Sequence, residues 1–333
     1  MRKTTPYIIA EIGSVHDGSL GNAKKLIELA KSVGADCVKF QMHISEFETT
    51  PDAPNPTFFS EEPRFSYFDR TSFSIDQWNE LIIHAKNQKI DFLISPFNIE
   101  AVRIMRTIGL NDFKVPSGEL SNIQMLKEIS RNFNKVYLST GMSDMNEIET
   151  ALKVFGNQTN GVTVMQCTSI YPCPVEKVGI NVLEDLVKKY DLTIGFSDHT
   201  RGLAAAIMAV TLGATIIEKH LTFSRAMYGS DAWNALEPIE FKQFCEEIRN
   251  CSIILQSPVD KNDLSEFRQT SQTFKKGIYT RKSLSKNHQI KDEDLIMLKP
   301  LIGIPASEIN NVIGKTLNID LEAQRAIKYQ DLR

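Results

Sequence analysis

The feature that most constrains the fold is an alternation repeated along the chain. Short apolar runs rich in β-branched residues alternate with longer amphipathic stretches about eight times between Tyr7 and Leu255. The runs are YIIAEIG, CVKFQ, DFLISPF, FKVPSG, KVYLSTGM, VTVMQCTS, LTIGFSDHT and TIIEKHLT. Segments between them, such as GNAKKLIELAKSVGA, SIDQWNELIIHAKNQK and GLAAAIMAVTLGA, repeat apolar residues at three and four and end at Gly or a polar turn, as helices do. Parallel strands joined by right-handed helical crossovers are the economical topology for this pattern. Eight such units are what a closed (β/α)8 TIM barrel requires.

The chain has 333 residues, room for a barrel of ~250 and a module of ~60. The boundaries expected are a barrel over 1–256, a linker over 257–272 and a small domain over 273–333, where KKGIYTRKSLSKNHQIKDEDLIMLKP and its continuation read as short strands with Gly or Asn turns. One polar and aromatic excursion, about residues 43 to 73, follows the second strand and is expected to act as a lid or rim. Its Phe and Tyr residues, and Trp78, are expected to pack rather than to stack on a sugar.

Composition excludes several functions. An apolar share of 42% with 24% charged residues describes a chain able to bury a large core. A net charge of −3 with no basic stripe argues against nucleic acid. No run approaches the ~20 apolar residues of a membrane helix, and MRKTTPYIIAEIG turns polar too early for a secretory core, so no membrane partner and a cytoplasmic location are expected. Five cysteines without a CxxC pair indicate neither a disulfide framework nor a zinc knuckle. Cys167, with no base beside it in sequence, reads as a core thiol.

In a TIM barrel the chemistry gathers at the C-terminal strand ends. There the chain places Glu11, Lys39, Gln41, Ser95, Lys114, Ser117, Glu119, Ser139, Thr140, Thr168, Ser169, Ser197, Asp198, His199, Glu218, Lys219 and His220. So many polar ends exceed what a packed core tolerates without a ligand. His199 and His220 end neighbouring strands and are candidate ligands of an open divalent metal site suited to manganese, iron, cobalt or zinc. Asp198 and Glu218 either orient those histidines or point into barrel layers. Lys39 and Lys114 are expected to face the mouth and draw an anion, with Ser117, Ser139 and the N–H groups near Gly118, Thr140 and Gly141 completing a phosphate cradle; the alternative is that they neutralise Glu11 and Glu119. Glu119 and Glu11 are candidates for positioning water or moving protons, and beside two lysines they should stay ionised. No P-loop or GxGxxG motif suggests a nucleotide.

At these residues the sequence resembles the sialic acid synthase family, the N-acetylneuraminate synthases with their legionaminate and pseudaminate synthase relatives. The match runs through AEIGSVHDGS, GADCVKFQ, SPF, KVPSGEL with Asn122, STGM followed by EI, QCTSIYP, GFSDHT, GATIIEKH and GSD. The tail resembles, more loosely, the family's antifreeze-like (SAF, β-clip) domain. The resemblance implies a transferase-type synthase that joins phosphoenolpyruvate to an N-acetylated amino sugar, N-acetylmannosamine, giving a nine-carbon 2-keto acid and phosphate. It implies a metal, usually manganese with magnesium or cobalt as alternatives, on His199 and His220. Glu11, Lys39, Gln41, Ser95, Lys114, Ser117, Glu119, Ser139, Tyr171, Ser197 and Asp231 match catalytic or substrate-contacting positions. It also implies a homodimer in which each small domain covers its partner's barrel.

Departures bear on the substrate. Ser169 stands where neuraminate-forming members often have Asn, and His16-Asp17 where they have His-Asn. Lys299 stands where an Arg reaches the neighbouring subunit's site, keeping the charge without the bidentate fork. These differences make a 2,4-diacetamido-2,4,6-trideoxyhexose, with a legionaminate- or pseudaminate-type product, the alternative acceptor. Two competing classes are a metal-dependent hydrolase, against which stands the lack of HxH at the first strand, and a non-catalytic carbohydrate-binding barrel, which would not need both histidines, both lysines and Glu119.

Overall fold

The computed structural model describes residues 5–55 and 62–333. Eight parallel strands close into a barrel in sequence order: β1 (Tyr7–Gly13), β2 (Cys37–Met42), β3 (Asp91–Pro96), β4 (Asp112–Val115), β5 (Lys135–Ser139), β6 (Val162–Cys167), β7 (Thr193–Asp198) and β8 (Ile216–His220). The outer helices are α1 (Leu20–Ser32), α2 (Arg64–Thr71), α3 (Ile75–Gln88), α4 (Ile99–Thr107), α5 (Ile123–Ser130), α6 (Met145–Phe155), α7 (Ile180–Lys189), α8 (Ala204–Thr211) and α9 (Pro238–Gln256). Each expected apolar run is a strand of this barrel, and the TIM architecture read from the alternation is the one observed.

Side chains alternate across a strand, so odd and even positions meet different surroundings. Ile8, Ala10 and Ile12 of β1 join the large core between strands and helices. Ile9, Cys37, Leu93, Tyr137, Met165 and Ile216 form a separate apolar layer inside the barrel. This layer plugs the barrel and is the floor on which the mouth is built.

The loops over the mouth are held by side-chain caps on the helices that follow them. Ser19 Oγ accepts from Asn22 N–H at 3.2 Å, Asn98 Oδ1 from Ala101 N–H at 2.8 Å, and Asn122 Oδ1 from Met125 N–H at 3.2 Å. Ser74 with Gln77 and Asp144 with Glu147 form full capping boxes. Each cap of this kind is worth ~1 kcal/mol and fixes where the preceding loop must end.

The excursion after β2 is not a single loop. It contains a helical turn at Ser45–Phe47 and α2, whose Tyr67 is 1% exposed. Residues 56–61, with Phe58 and Phe59, lie outside the described residues. Trp78 is buried edge-on against Phe73 and Phe40.

The chain divides into two compact units at Ser257. The second, Pro258–Arg333, has its own core of Ile278, Leu284, Ile290, Leu295, Ile304, Val312, Leu317, Leu321 and Ile327. A two-stranded antiparallel sheet, β9 (Gly277–Thr280) with β10 (Leu295–Leu298), crosses it. A short helix, α10 (Arg268–Phe274), occupies part of the stretch expected as linker. Among the described residues, no helix is long and apolar enough to cross a membrane.

Candidate active site

The cavity at the mouth of the barrel follows from the alternation by simple counting. Adding two to each member of the apolar floor gives Glu11, Lys39, Ser95, Ser139, Cys167 and Glu218, and every one of these lines a cavity of about 380 Å³. The next inward step supplies Gln41, Phe97, Ser169 and His220 to the same cavity. Parallel register levels them: Glu11 stands opposite both Lys39 and His220, and Ser197 opposite Glu218. Lys114, Ser117, Glu119, Tyr171, Ser197, His199 and Asp231 also line the cavity, whereas Thr140, Thr168, Asp198 and Lys219, expected at the same strand ends, do not.

Its charge is organised around Glu218. Oε1 of Glu218 lies 3.2 Å from the Nζ atoms of both Lys39 and Lys114 and accepts from Ser197 Oγ at 3.1 Å. Lys39 also pairs with Glu11 at 3.1 Å and donates to Ser95 Oγ at 3.2 Å. Burial opposes its charge, but Glu11 and Glu218 outweigh burial and hold Lys39 above the ordinary lysine value. Lys114 is less well compensated: burial wins over Glu218, with Lys39 nearby adding repulsion, and its pKa falls. Glu218 itself, against burial, is held low by Lys114 and Lys39. Of the alternative in which Glu11 and Glu119 neutralise the lysines, the Lys39–Glu11 pair is present, whereas Glu218 rather than Glu119 takes the position between the lysines.

Glu119 has a different environment. Burial raises its carboxyl above the ordinary value, opposed by a 2.7 Å bond from Asn122 Nδ2. The two lysines expected beside it pair with Glu11 and Glu218 instead. A half-buried carboxyl on the cavity wall is placed to exchange a proton with a bound water or substrate.

His199 and His220 lie with ring centroids 5.7 Å apart. His199 Nδ1 is 2.8 Å from the Thr168 carbonyl oxygen, which can only accept, so Nδ1 carries the hydrogen and Nε2 the lone pair. Burial, reinforced by His220, lowers the His199 pKa to about 3, leaving a neutral ring. Tyr171 packs on His199 at 4.3 Å and edge-on to His220 at 6.2 Å. Nδ1 of His220 and Oε2 of Glu218 are buried without a hydrogen-bond partner among the described residues. A neutral imidazole and an orphaned ring nitrogen side by side fit the donor set of a divalent cation. No group of three His, Cys, Asp or Glu able to hold a metal occurs among the described residues. A cation here would keep open positions for water and substrate oxygen.

Asp198, on the other side of β7, serves structure: its Oδ2 accepts from Lys219 Nζ at 2.8 Å, and Lys219 also bonds the carbonyls of Thr200 and Gly202. Neither Asp198 nor Glu218 bonds the histidines; the Thr168 carbonyl orients His199 instead. The expected phosphate cradle also changes. Thr140 N–H donates to the Met165 carbonyl and Gly141 N–H to Ser117 Oγ, so these two N–H groups already have partners. Cys167 is buried at 4% exposure, as expected of a core thiol, and its Sγ also lines the cavity 3.1 Å from Ser117 Oγ. A Cβ at Gly141 would collide with Ser169, Cys167 and Ser117, so glycine is what keeps these three together.

The rim comes from three segments distant in sequence. Asp231 Oδ2 accepts from Ser14 N–H and Ser14 Oγ, each at 2.8 Å, and Tyr67 OH donates to Ser14 Oγ at 2.9 Å. Gly13, at φ 55°, permits this approach, because a Cβ there would strike Asp231. His16 stacks on Phe73 at 4.5 Å, and Asp17 pairs with Arg70 at 2.7 Å; neither lines the cavity. Lys299 lies in the C-terminal unit, its Nζ 5.5 Å over the Phe274 ring. Residues not anticipated at the cavity include His43, Glu48, Arg64, Phe68 and Phe97. His43 could have been found by continuing the period of two from Lys39 and Gln41, whereas Arg64 and Phe68 arrive from α2 by tertiary folding alone.

Comparison with known proteins fits this geometry. Residues 26–260 match the NeuB family and residues 275–333 the SAF domain. The chain is 36% identical over 95% of its length to the N,N'-diacetyllegionaminic acid synthase of Campylobacter jejuni, covering 96% of that protein. It is 30% identical over 96% of its length to the human N-acetylneuraminate-9-phosphate synthase, covering 91% of it. The solved N-acetylneuraminic acid synthetase of Leptospira borgpetersenii superposes with a TM-score of 0.71 at 28% identity, over 80% of this chain and 91% of that one.

Proposed function

The chain belongs to the NeuB family, and on that premise we propose that it condenses phosphoenolpyruvate with an N-acetylated amino-hexose, releasing phosphate and forming a nine-carbon 2-keto acid sugar. One observation carries the reading. Two buried ammonium groups share one carboxylate oxygen on Glu218, and Glu11 is a second partner for Lys39 alone, so Lys114 keeps N–H hydrogens to offer an anion in the cavity. Lys114, whose charge is the less compensated, gains most from a phosphate or carboxylate brought within reach.

The residues divide the work. Lys39 and Lys114, with Ser117 and Ser139, hold phosphoenolpyruvate and stabilise charge that grows on the departing phosphate. His199 and His220 hold a divalent ion, manganese for preference, which when bound supplies Lewis-acid polarisation of the acceptor's aldehyde oxygen. Carbon-3 of phosphoenolpyruvate attacks the aldehyde carbon, water adds at carbon-2, and the adduct loses phosphate by carbon–oxygen cleavage. Glu119 takes the proton of that water, and Glu11, tied to Lys39, steadies positive charge at carbon-2. Gln41, Ser95, Ser169, Tyr171, Ser197 and Asp231 orient the two substrates.

Of the two acceptors, a 2,4-diacetamido-2,4,6-trideoxyhexose is favoured. The 36% identity to a diacetyllegionaminic acid synthase supports it, as do the apolar faces of Phe68, Phe97 and Met142 on the cavity wall, which suit a deoxygenated carbon. N-acetylmannosamine is the second reading, supported by the likeness to the sialic acid synthetase. A cytoplasmic homodimer, with Lys299 reaching the partner's barrel, completes the proposal. Purified protein with phosphoenolpyruvate and manganese is offered the two acceptors in parallel and phosphate is measured. Release with the diacetamido sugar at least ~10-fold faster supports the preferred acceptor; release with neither ends the proposal.

A further inference from the structure

A chain of hydrogen bonds runs from the rim of the cavity to Glu11. Gln41 Nε2 donates to Glu11 Oε1 at 2.7 Å, and Gln41 Oε1 is 3.0 Å from His43 Nε2. His43 Nδ1 lies 2.8 Å from Glu48 Oε2, and Arg64 Nη2 donates to Glu48 Oε1 at 3.4 Å. The order of donors follows from the ends. Glu11 pairs with Lys39 as a carboxylate and can only accept, so the Gln41 amide must turn its NH2 toward Glu11 and its oxygen toward His43. The oxygen requires a hydrogen on His43 Nε2. Glu48 Oε2 lies at the other ring nitrogen, Nδ1, and the ring has no alternative orientation that keeps both contacts.

The ring is also clamped mechanically. His43 stacks on Phe68 at 3.7 Å and 17°, and on Phe97 at 4.1 Å and 28°. It is 7% exposed, and Glu48's side chain is 4% exposed, so water does not compete strongly for these bonds. Two aromatic faces packed on the ring hold its plane and leave both nitrogens at the edges, facing Gln41 and Glu48. Without such a clamp, an amide can flip by half a turn at little steric cost, presenting its oxygen to Glu11.

We infer that His43 is a positioning residue: held between Phe68 and Phe97 and anchored on Glu48, it fixes the direction of the Gln41 amide and thereby the orientation of the Glu11 carboxylate. The inference rests on the proposed function only in treating Glu11 as part of the reacting site. A flipped amide would place oxygen against oxygen at Glu11 and push the carboxylate away from its position. A displacement of that kind beside a reacting centre lowers turnover more than substrate binding, since Lys39 and Lys114 still face the anion.

His43→Phe tests this by filling the same slot between the rings with a side chain that makes no hydrogen bond. The expected result is a kcat for phosphate release lower by about 10- to 100-fold, with KM for phosphoenolpyruvate changed by less than ~3-fold. In a Gln41→Ala background the same substitution should cost no more than ~2-fold, because the residue acts through Gln41. Losses that multiply in the double variant, or a His43→Phe enzyme within ~2-fold of the parent, overturn the inference. A second readout needs no turnover: selective 15N-glutamine labelling should show a slowly exchanging Gln41 side-chain amide in the parent that broadens or shifts in the variant. If the parent releases no phosphate with either acceptor, the functional reading falls and the amide spectrum alone decides the relay. Should His43→Phe not fold, Glu48→Ala leaves the ring sandwich intact and removes the anchor. The Gln41 signal should then change in the same way, and an unchanged signal refutes the relay.

Discussion

Lys39 and Lys114, on strands β2 and β4 that are not neighbours in the barrel, meet at one atom: each ammonium lies 3.2 Å from Oε1 of Glu218. Neither lysine is exposed by more than 5% at its side chain. Two buried cations on one carboxylate oxygen repel each other, and Glu11 relieves only Lys39. An arrangement of this kind is stable enough to fold and is improved by a bound anion, which is how a binding site differs from a structural ion pair.

Replacing Lys114 should therefore damage function more than fold. In Lys114→Met, Glu218 retains Lys39, and the repulsion between the lysines is gone. We expect kcat/KM for phosphoenolpyruvate to fall by ~100-fold or more, about 3 kcal/mol of transition-state stabilisation, with Tm lowered only slightly. Steady-state phosphate release checks it, and a variant within ~3-fold of the parent would remove Lys114 from the proposed site.

The imidazole pair makes a prediction independent of turnover. The protein is expected to retain about one divalent manganese ion per chain, seen as loss of the free-ion paramagnetic resonance signal on titration. His220→Ala or His199→Ala should weaken retention by more than ~100-fold, since among the described residues no group of three His, Cys, Asp or Glu stands ready to hold the ion. Equal retention in both variants would place the metal elsewhere. Chelation should abolish phosphate release, and turnover unaffected by chelator would exclude the metal role.

Lys219 and Asp198 form a pair with side chains 1% and 0% exposed, directly behind the strand ends that present the histidines. Lys219→Met leaves a buried carboxylate and the carbonyl oxygens of Thr200 and Gly202 without their cation. A loss of about 3–5 kcal/mol is expected, lowering Tm by on the order of 10 °C in thermal denaturation. The double variant with Asp198→Asn should recover part of it. A Tm unchanged in Lys219→Met would show that water takes over the pair.

His16 gives the fold a defined acid sensitivity. It is 3% exposed against Phe73 and Phe40, accepts a 3.1 Å bond from Gly18 N–H at Nδ1, and has its pKa lowered from 6.5 to about 4. Burial is the main cause; Asp231 opposes it and His43 adds to it. The unfolded chain binds more protons than the native one between these values, so stability is fully present above pH 6.5 and lost as pH falls toward 4. The loss attributable to His16 is about 3 kcal/mol. Urea midpoints from pH 7 to 4 should show a slope that is reduced in His16→Gln, and an identical slope in both proteins would contradict the assignment.

The barrel was legible because its evidence is local and repeated. Each β-branched run followed by a helix pattern is an independent vote for the same topology, and closure at eight needs no long-range information. The candidate residues were legible for a related reason: a strand's C-terminal end is known once the strand is known. The place of Cys167 on the cavity wall and the direction of Glu218 were also legible, since the same period of two, counted from Met165 and Ile216, points both into the cavity.

What the sequence by itself determined is therefore the inventory: eight strands, the polar groups at their ends, and the family blocks that name them. Pairing was decided only by tertiary structure. Whether Lys114 meets Glu119 or Glu218, whether Thr168 rather than Asp198 orients His199, and whether Phe68 of α2 comes to rest on His43 depend on barrel radius, strand stagger and the path of the excursion after β2. The physical reason is range. Periodicity fixes which face a side chain takes within its own strand, whereas ion pairs and ring stacks between residues tens of positions apart are set by closure of the whole sheet.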